Sequence, residues 1–208
     1  MRHRILFFFL AFIGISQFVT SSDVRNKYNF NSDWLLYVGD VPEAKQPRFS
    51  DSEWKKVTLP HAFNEDEAFR LSIDELTDTI MWYRKHFRLP ANSKNKKVFV
   101  EFEGVRQGAD FYINGQNVGL HENGVMAVGF DLTPYIKDNT FRLTILVSNV
   151  DYPTKGGHLT SPDTQTNWNG IIGEISLHIC DEIMIEHIKT YPDTEHKSVR
   201  VEISTNNT

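Results

Sequence analysis

Cysteine is almost absent from this sequence of 208 residues, in which Cys180 is the single example. One cysteine excludes an intramolecular disulfide, so a compact fold must rely on a hydrophobic core, for which the chain is long enough. Cys180 follows Leu177 and Ile179 in an alternating segment. We interpret it as a small buried apolar side chain, and a reactive thiol is the alternative.

The chain contains fewer basic residues than acidic ones. The formal net charge is −5, and the isoelectric point is near 5.9. Because a nucleic-acid-binding surface must neutralise phosphates, this balance argues against nucleic acid as a partner. The densest basic cluster, at residues 94–97, is typical of a solvated loop.

An apolar run long enough for an ordinary membrane span is missing from the N-terminus, where Ile5–Ile15 is too short. The basic segment Arg2–Arg4 precedes this run, and the small residues Ser21 and Ser22 follow it. The arrangement predicts a secretory signal peptide over residues 1–22. We therefore expect an exported protein, periplasmic or secreted, without membrane contact after cleavage. A retained anchor is the alternative.

Motifs of several enzyme classes are also missing. The sequence contains neither a Gly-x-Ser-x-Gly elbow nor a phosphate-binding loop. His121-Glu122 lacks the second histidine, four residues after the first, that a zinc-binding helix requires. We predict no metal and no cofactor.

The segment Gly104–Thr133 carries the clearest structural pattern. Apolar and polar residues alternate through Phe111 and Ile113, which predicts a half-buried strand. Asn114-Gly115 then supplies the two residues of a tight hairpin turn, and Val118 and Leu120 resume the alternation on the return strand.

Aromatic residues are plentiful, with fifteen Phe, seven Tyr and four Trp, and they favour strands. Short alternating segments separated by frequent turns predict an all-β sandwich or barrel. Further predicted strands cover residues 34–38, 54–59, 81–89, 97–102, 141–148, 174–180, 182–189 and 197–204.

Six short segments are informative because of the order in which they occur along the chain. They are Leu59–His61, Trp82–Phe87, Phe102–Val105, Tyr112–Gly119, Phe130–Thr133 and Asn169–Ile172. Together they resemble the N-terminal sugar-binding domain of glycoside hydrolase family 2, the β-galactosidase and β-glucuronidase group. The resemblance implies a jelly-roll, galactose-binding-like sandwich, which turn spacing alone does not select.

The resemblance also implies a domain division. Residues 23–181 correspond to the sugar-binding jelly-roll domain, and residues 182–208 to the first strands of a truncated immunoglobulin-like domain. Two strands cannot bury an apolar face by themselves, which is why we interpret residues 182–208 as part of a larger unit.

The family places both catalytic glutamates on a TIM barrel that follows these domains, and the sequence contains no such barrel. Asn64-Glu65 copies the family's acid/base dipeptide but precedes the first long strand, so we interpret it as a loop. We therefore predict no catalytic residue and no activity for this chain alone.

Three residues are predicted to contact a β-linked saccharide. Asp78 lies five positions before Tyr83, where the family has a polar sugar-contacting residue. The second sugar-contacting residue of the family is an aspartate six positions before the glycine that corresponds to Gly170. This chain has Thr164 at that position, and a one-residue shift of the alignment would place Asp163 there. Trp168 could stack on a sugar ring. Solvated turn residues, and a buried aromatic for Trp168, are the alternatives.

Two other positions bear on the same loops. Gly173 stands where the family usually has an arginine that ties the loop down, so we expect a looser loop between residues 149 and 169. His61 is interpreted as a hydrogen-bonded structural histidine.

These observations support two functional hypotheses. The first is the non-catalytic sugar-binding part of an exported family 2 β-glycosidase, whose partners are a β-linked saccharide and the separate catalytic portion. The alternative is a free-standing secreted carbohydrate-binding module. A secreted structural domain without a ligand is a third option.

Overall fold

A computed structural model of the chain describes residues 25–72, 75–122, 126–136, 139–151 and 168–206. Antiparallel strands dominate these residues, together with one short α-helix, α1 (Glu65–Ala68). The strands are β1 (Arg25–Asn29), β2 (Trp34–Val38), β3 (Lys55–Val57), β4 (His61–Ala62), β5 (Ile80–Arg88), β6 (Lys97–Phe102), β7 (Val105–Arg106), β8 (Gly108–Ile113), β9 (Gln116–His121), β10 (Val128–Asp131), β11 (Thr140–Ser148), β12 (Gly170–Ile171), β13 (Ile175–Cys180), β14 (Ile185–Asp193) and β15 (Ser198–Thr205).

Two sheets form the body of the molecule. One contains four strands in the order β1-β13-β6-β10, and the other contains six in the order β3-β2-β5-β11-β8-β9. Side chains from both sheets form one continuous core, including Val100 and Leu177 from the first sheet and Tyr83 and Ile145 from the second. The prediction of an all-β jelly-roll sandwich is therefore confirmed. Among the described residues, no helix is long and apolar enough to cross a membrane.

Strand alternation explains how this core forms. On β11, Leu143, Ile145 and Val147 are fully buried and face the core, and the intervening side chains point to the opposite face of the sheet. On β5, Met81 and Tyr83 enter the same core, whereas Trp82 packs into a second, smaller cluster on the outer face.

The second cluster lies under the segment between β2 and β3. Ala44 and Trp54 from this segment pack against Trp82 of β5. Arg84 extends from β5 into the same region and is fully buried. This segment therefore covers part of the outer face of the six-stranded sheet.

The predicted hairpin between β8 and β9 is confirmed, but its return strand differs from the prediction. Asn114 and Gly115 adopt positive φ values of 49° and 85°, as the tight turn requires. The register then shifts opposite Phe111 and Tyr112, which inserts a β-bulge. The bulge reverses the later alternation, so Leu120 is exposed and His121 is buried. The expectation that Leu120 continues the buried face was therefore wrong.

A separate two-stranded sheet, β14-β15, follows the sandwich. On one face, Ile188 pairs with Ile203, and Val201 lies two residues before Ile203. These three residues are 58%, 59% and 49% exposed in that order. On the other face, the Tyr191 hydroxyl donates a hydrogen bond to Glu202 over 3.1 Å. The hairpin is thus apolar on one side and polar on the other.

Candidate functional site

A small three-stranded sheet of order β4-β12-β7 brings together the ends of three family-like segments. Gly170 pairs with Ala62 on one side and with Arg106 on the other, and Ile171 pairs with His61 and Val105. Residues from the beginning and the end of the sandwich therefore share one short sheet.

Hydrogen bonds beyond β4 hold the same two segments together. The Phe63 N–H donates to the Asn169 carbonyl over 2.9 Å. The Asn169 N–H donates to the Asn64 side-chain oxygen, also over 2.9 Å. Asn64 is almost fully buried, so its side chain serves to position the backbone. The dipeptide Asn64-Glu65, interpreted from the sequence as a loop, lies at the start of the one-turn helix α1.

Gly170 makes the close approach of these segments possible. Its φ of +134° is a conformation that other residues rarely adopt. A Cβ atom at this position would lie 2.5 Å from the His61 carbonyl oxygen and 2.7 Å from the Tyr83 hydroxyl oxygen. Packing and backbone conformation therefore both require glycine at position 170.

Steric contacts also explain why glycine occupies position 173, where the family usually has an arginine. A Cβ atom there would lie 2.2 Å from the backbone nitrogen of Gly104, so the arginine usual in the family does not fit this backbone. The Gly173 N–H instead donates to the Gly104 carbonyl over 3.0 Å. The loop expected to be looser, residues 149–169, lies mostly outside the described residues.

A cavity of about 390 Å³ opens beside the three-stranded sheet. Its walls combine apolar surface with one carboxylate and one imidazole. The described residues that line it are Pro60, His61, Ala62, Glu65, Trp168 and Ile172.

Trp168 forms the aromatic part of the cavity wall. The Trp168 ring lies edge-to-face against Phe69, with 5.4 Å between ring centroids and an interplanar angle of 69°. Phe69 follows α1 and is 76% exposed. The contact orients a half-buried indole ring at the edge of the cavity.

His61 provides the imidazole of the cavity. Burial lowers its pKa, Lys55 lowers the pKa further by charge repulsion, and Glu65 opposes this by attraction. The ring is therefore neutral near pH 7. Within the part of the chain that the structure describes, the buried Nδ1 of His61 has no hydrogen-bond partner. The predicted hydrogen bond of this histidine is thus not found at Nδ1.

The Asp78 carboxylate is hydrogen-bonded to Asn149, the residue that follows β11. The Asn149 Nδ2 donates to Asp78 Oδ1 over 2.8 Å, and the Asn149 side-chain oxygen accepts from the Thr79 N–H over 2.8 Å. Burial raises the pKa of the Asp78 carboxyl. Asp78 is not among the described lining residues of the cavity that contains Trp168. Its sugar contact remains a prediction.

The remaining predicted contact, Asp163, lies outside the described residues, as does Thr164. Glu65, Pro60 and Ile172 line the cavity but were not predicted as contacts from the sequence. Their proximity to Trp168 could have been inferred only by placing the two motif segments side by side. No group of three or more metal-binding side chains is found among the residues described here.

Comparison with known proteins identifies the domain that carries this cavity. The family model described as "Glycosyl hydrolases family 2, sugar binding domain" matches residues 40–180. The chain is 35% identical over 190 residues to a β-glucuronidase of Formosa agariphila, covering 82% of this chain and 18% of that protein. It is 35% identical over 180 residues to a β-galactosidase of Thermoanaerobacter pseudethanolicus, covering 84% of this chain and 24% of that protein.

Solved structures give the same result. A β-glucuronidase from glycoside hydrolase family 2 superposes with a TM-score of 0.71 and 30% identity, covering 91% of this chain and 22% of that one. The β-glucuronidase of Bacteroides uniformis superposes with a TM-score of 0.67 and 25% identity, covering 79% of this chain and 21% of that one. This chain therefore spans only about a quarter or less of the length of these relatives. The sandwich, its ordered motifs and these matches together establish that the chain belongs to glycoside hydrolase family 2, through its sugar-binding domain.

Proposed function

We propose that this chain is the non-catalytic, sugar-binding part of an exported family 2 β-glycosidase, an enzyme that hydrolyses O-glycosyl bonds of a β-linked saccharide. The observation that carries the proposal is the match of residues 40–180 to the family's sugar-binding domain. Relatives of this domain are named β-glucuronidase and β-galactosidase, and they are four or more times longer than the matched region.

The composition of the cavity supports a non-catalytic role. Retaining hydrolysis of a glycoside needs two carboxyl groups about 5–5.5 Å apart. Glu65 is the only carboxyl among the described residues that line the cavity. The described residues of this cavity therefore cannot supply both the nucleophile and the acid/base.

The exposed apolar face of the β14-β15 hairpin supports the proposal that a further protein domain is a partner of this chain. Its apolar face exposes Ile188, Val201 and Ile203 by 58%, 49% and 59%. Two strands alone do not bury such a face, and a larger immunoglobulin-like domain would cover it. The same face disfavours the alternative of a free-standing module, which would leave it in water.

The catalytic part of the proposal is tested by assaying the purified chain with aryl β-galactoside and aryl β-glucuronide substrates. The expected result is no release of the aryl group above a protein-free blank, while a full-length family 2 β-glucuronidase in the same assay is active. Hydrolysis by the chain itself would overturn the proposal.

Export is tested by expressing the full sequence in a bacterial host and sequencing the N-terminus of the recovered protein. The expected mature chain starts near residue 23 and is found outside the cytoplasm. Recovery of an uncleaved cytoplasmic chain would remove export from the proposal.

A further inference from the structure

One aromatic ring and two polar side chains meet in the cavity beside β4 and β12. Trp168 supplies the ring, Glu65 a carboxylate and His61 an imidazole. Small-molecule sites have this composition, with mostly apolar walls and a few polar groups that fix the orientation of the ligand. Such sites measure roughly 300–1,000 Å³. At about 390 Å³, this cavity suits a ligand of about one sugar ring.

We infer that this cavity binds one neutral pyranose ring of a β-linked saccharide, with the ring's C–H face on Trp168 and its hydroxyls on Glu65 and His61. The inference rests on the proposed function, because it names the part of the sugar-binding domain that holds the sugar. It adds Glu65 and His61 as binding residues and specifies an uncharged sugar.

The cavity walls are held in place before any ligand binds. Backbone pairing of β4 with β12 fixes His61 and Ala62 opposite Gly170 and Ile171. The side chain of Asn64 ties the next turn to Asn169, immediately after Trp168. Preorganised walls reduce the ordering cost of binding.

Trp168 differs from the other tryptophans in its exposure. Trp34, Trp54 and Trp82 are 0%, 7% and 1% exposed and pack in the two hydrophobic clusters. Trp168 is half-buried and lines the cavity. An amphipathic ring in this position can cover the apolar face of a sugar and leave the sugar hydroxyls free for polar partners.

The polar groups favour an uncharged sugar over a uronic acid. Glu65 accepts hydrogen bonds from hydroxyl groups but repels a second carboxylate. His61 is neutral near pH 7, since burial and the charge of Lys55 lower its pKa, and because its Nδ1 is buried, Nε2 is the ring nitrogen left to contact a sugar hydroxyl. Lys55 is not among the described lining residues and does not offset the carboxylate inside the cavity.

The inference is tested by ligand-detected NMR titration of the whole chain at pH 7. The probes are methyl β-D-galactopyranoside, methyl β-D-glucuronide and, as the neutral sugar that differs from the glucuronide only at C6, methyl β-D-glucopyranoside. Saturable binding of the galactoside is expected, with the glucuronide weaker by about fivefold, because Glu65 is exposed and two like charges at contact distance in water repel only weakly. Equal or tighter binding of the glucuronide would overturn the inference, as would absence of saturable galactoside binding.

Single substitutions test whether the galactoside binds in this cavity, and they separate the contribution of the Glu65 charge from that of stacking on Trp168. Trp168→Ala is expected to weaken galactoside binding by about tenfold, as one base–aromatic stacking contact does elsewhere. Glu65→Gln is expected to weaken galactoside binding severalfold and to narrow the difference from the glucuronide. The matched controls are Tyr191→Ala and Glu195→Gln, which lie on the β14-β15 hairpin, are not among the described lining residues of the cavity and should bind as the unmodified chain does.

The fold of each variant is checked by circular dichroism. Glu65 is exposed, so Glu65→Gln stays folded and decides the inference even if Trp168→Ala does not fold. Unchanged affinities and an unchanged preference in Glu65→Gln would place the sugar elsewhere. If the chain hydrolyses the aryl glycosides, the proposed function fails; if it neither hydrolyses them nor binds the galactoside at this cavity, only the inference fails.

Discussion

The Nη1 of Arg84 donates to Oδ2 of Asp51 over 3.0 Å, and the Arg84 side chain is completely removed from solvent. The same guanidinium donates to the carbonyls of Phe49 and Ala44 and lies 4.5 Å from the centre of the Trp54 ring. A buried charge is tolerated only when it is paired and hydrogen-bonded, and here one arginine meets both conditions. Arg84 therefore fixes the segment between β2 and β3 on the outer face of the sheet.

Replacing Arg84 by methionine should destabilise the protein by about 3–5 kcal/mol, because two backbone carbonyls lose their donor and Asp51 keeps only the contact with His86. Urea unfolding followed by tryptophan emission measures this change. Arg70→Met is the matched control: its ion pair with Asp66 is 4.0 Å long and exposed on both sides. The control substitution should lower the free energy of unfolding by at most about 0.5 kcal/mol. An equal loss for the two substitutions would contradict the prediction.

The Asp51 carboxylate should make stability depend on pH in acid. Burial raises its pKa, but hydrogen bonds and charge attraction from His86 and Arg84 outweigh burial, so the pKa lies below 3.8. A group with a lowered folded-state pKa contributes stability above its unfolded pKa and loses it as the pH falls through the folded value. The difference in unfolding free energy between the unmodified chain and Asp51→Asn should therefore shrink from pH 6 to pH 3. A difference that stays constant would show that Asp51 is not paired as described.

Gly170→Ala should both destabilise the protein and disturb the cavity that contains His61 and Trp168. The added methyl group would contact the His61 carbonyl, and the φ of +134° would be strained. We expect a loss of about 1–3 kcal/mol by thermal or urea unfolding. Gly129→Ala is the control, since a Cβ there meets only the Val100 carbonyl at 3.5 Å. That substitution should change stability by less than about 0.5 kcal/mol.

The two faces of the β14-β15 hairpin should respond differently to the same substitution. Ile203→Ser removes an exposed apolar side chain, so binding of the dye ANS should fall while the melting temperature stays the same. Glu202→Ser changes the opposite face, where Glu202 contacts Tyr191 and Arg200, and ANS binding should not change. A fall in ANS binding for both variants would contradict the assignment of the faces.

Much of the fold was predictable because it depends on local patterns. The two-residue alternation in residues 141–148 and the Asn114-Gly115 turn predicted a strand and a hairpin that the structure confirms. The bulge in β8-β9 was not predictable from alternation, since one extra residue reverses every later side chain. Strand β1 was also missed, because Tyr28 and its neighbours show no clear alternation and gain their order by pairing with β13.

The candidate site was predictable only in part. Trp168 was identified as a possible sugar-stacking residue, and the structure places it in a cavity wall, but the sugar contact itself remains a prediction, as do those of Asp78 and Asp163. Glu65 was interpreted as a loop residue because its dipeptide stood in the wrong place for catalysis. What the sequence could not show was that Glu65 faces the segment that contains Trp168.

By itself the sequence determined the class of fold, the tight hairpin turn and the family, since these follow from side-chain period, turn chemistry and the order of short motifs. The tertiary structure alone decided the order of the strands, the burial of Arg84 and the cavity that contains His61, Glu65 and Trp168. The physical reason is distance along the chain. Asn64 and Asn169 are separated by 105 residues yet share one hydrogen bond, and no local pattern encodes a contact that forms only when β4 and β12 pair in one sheet.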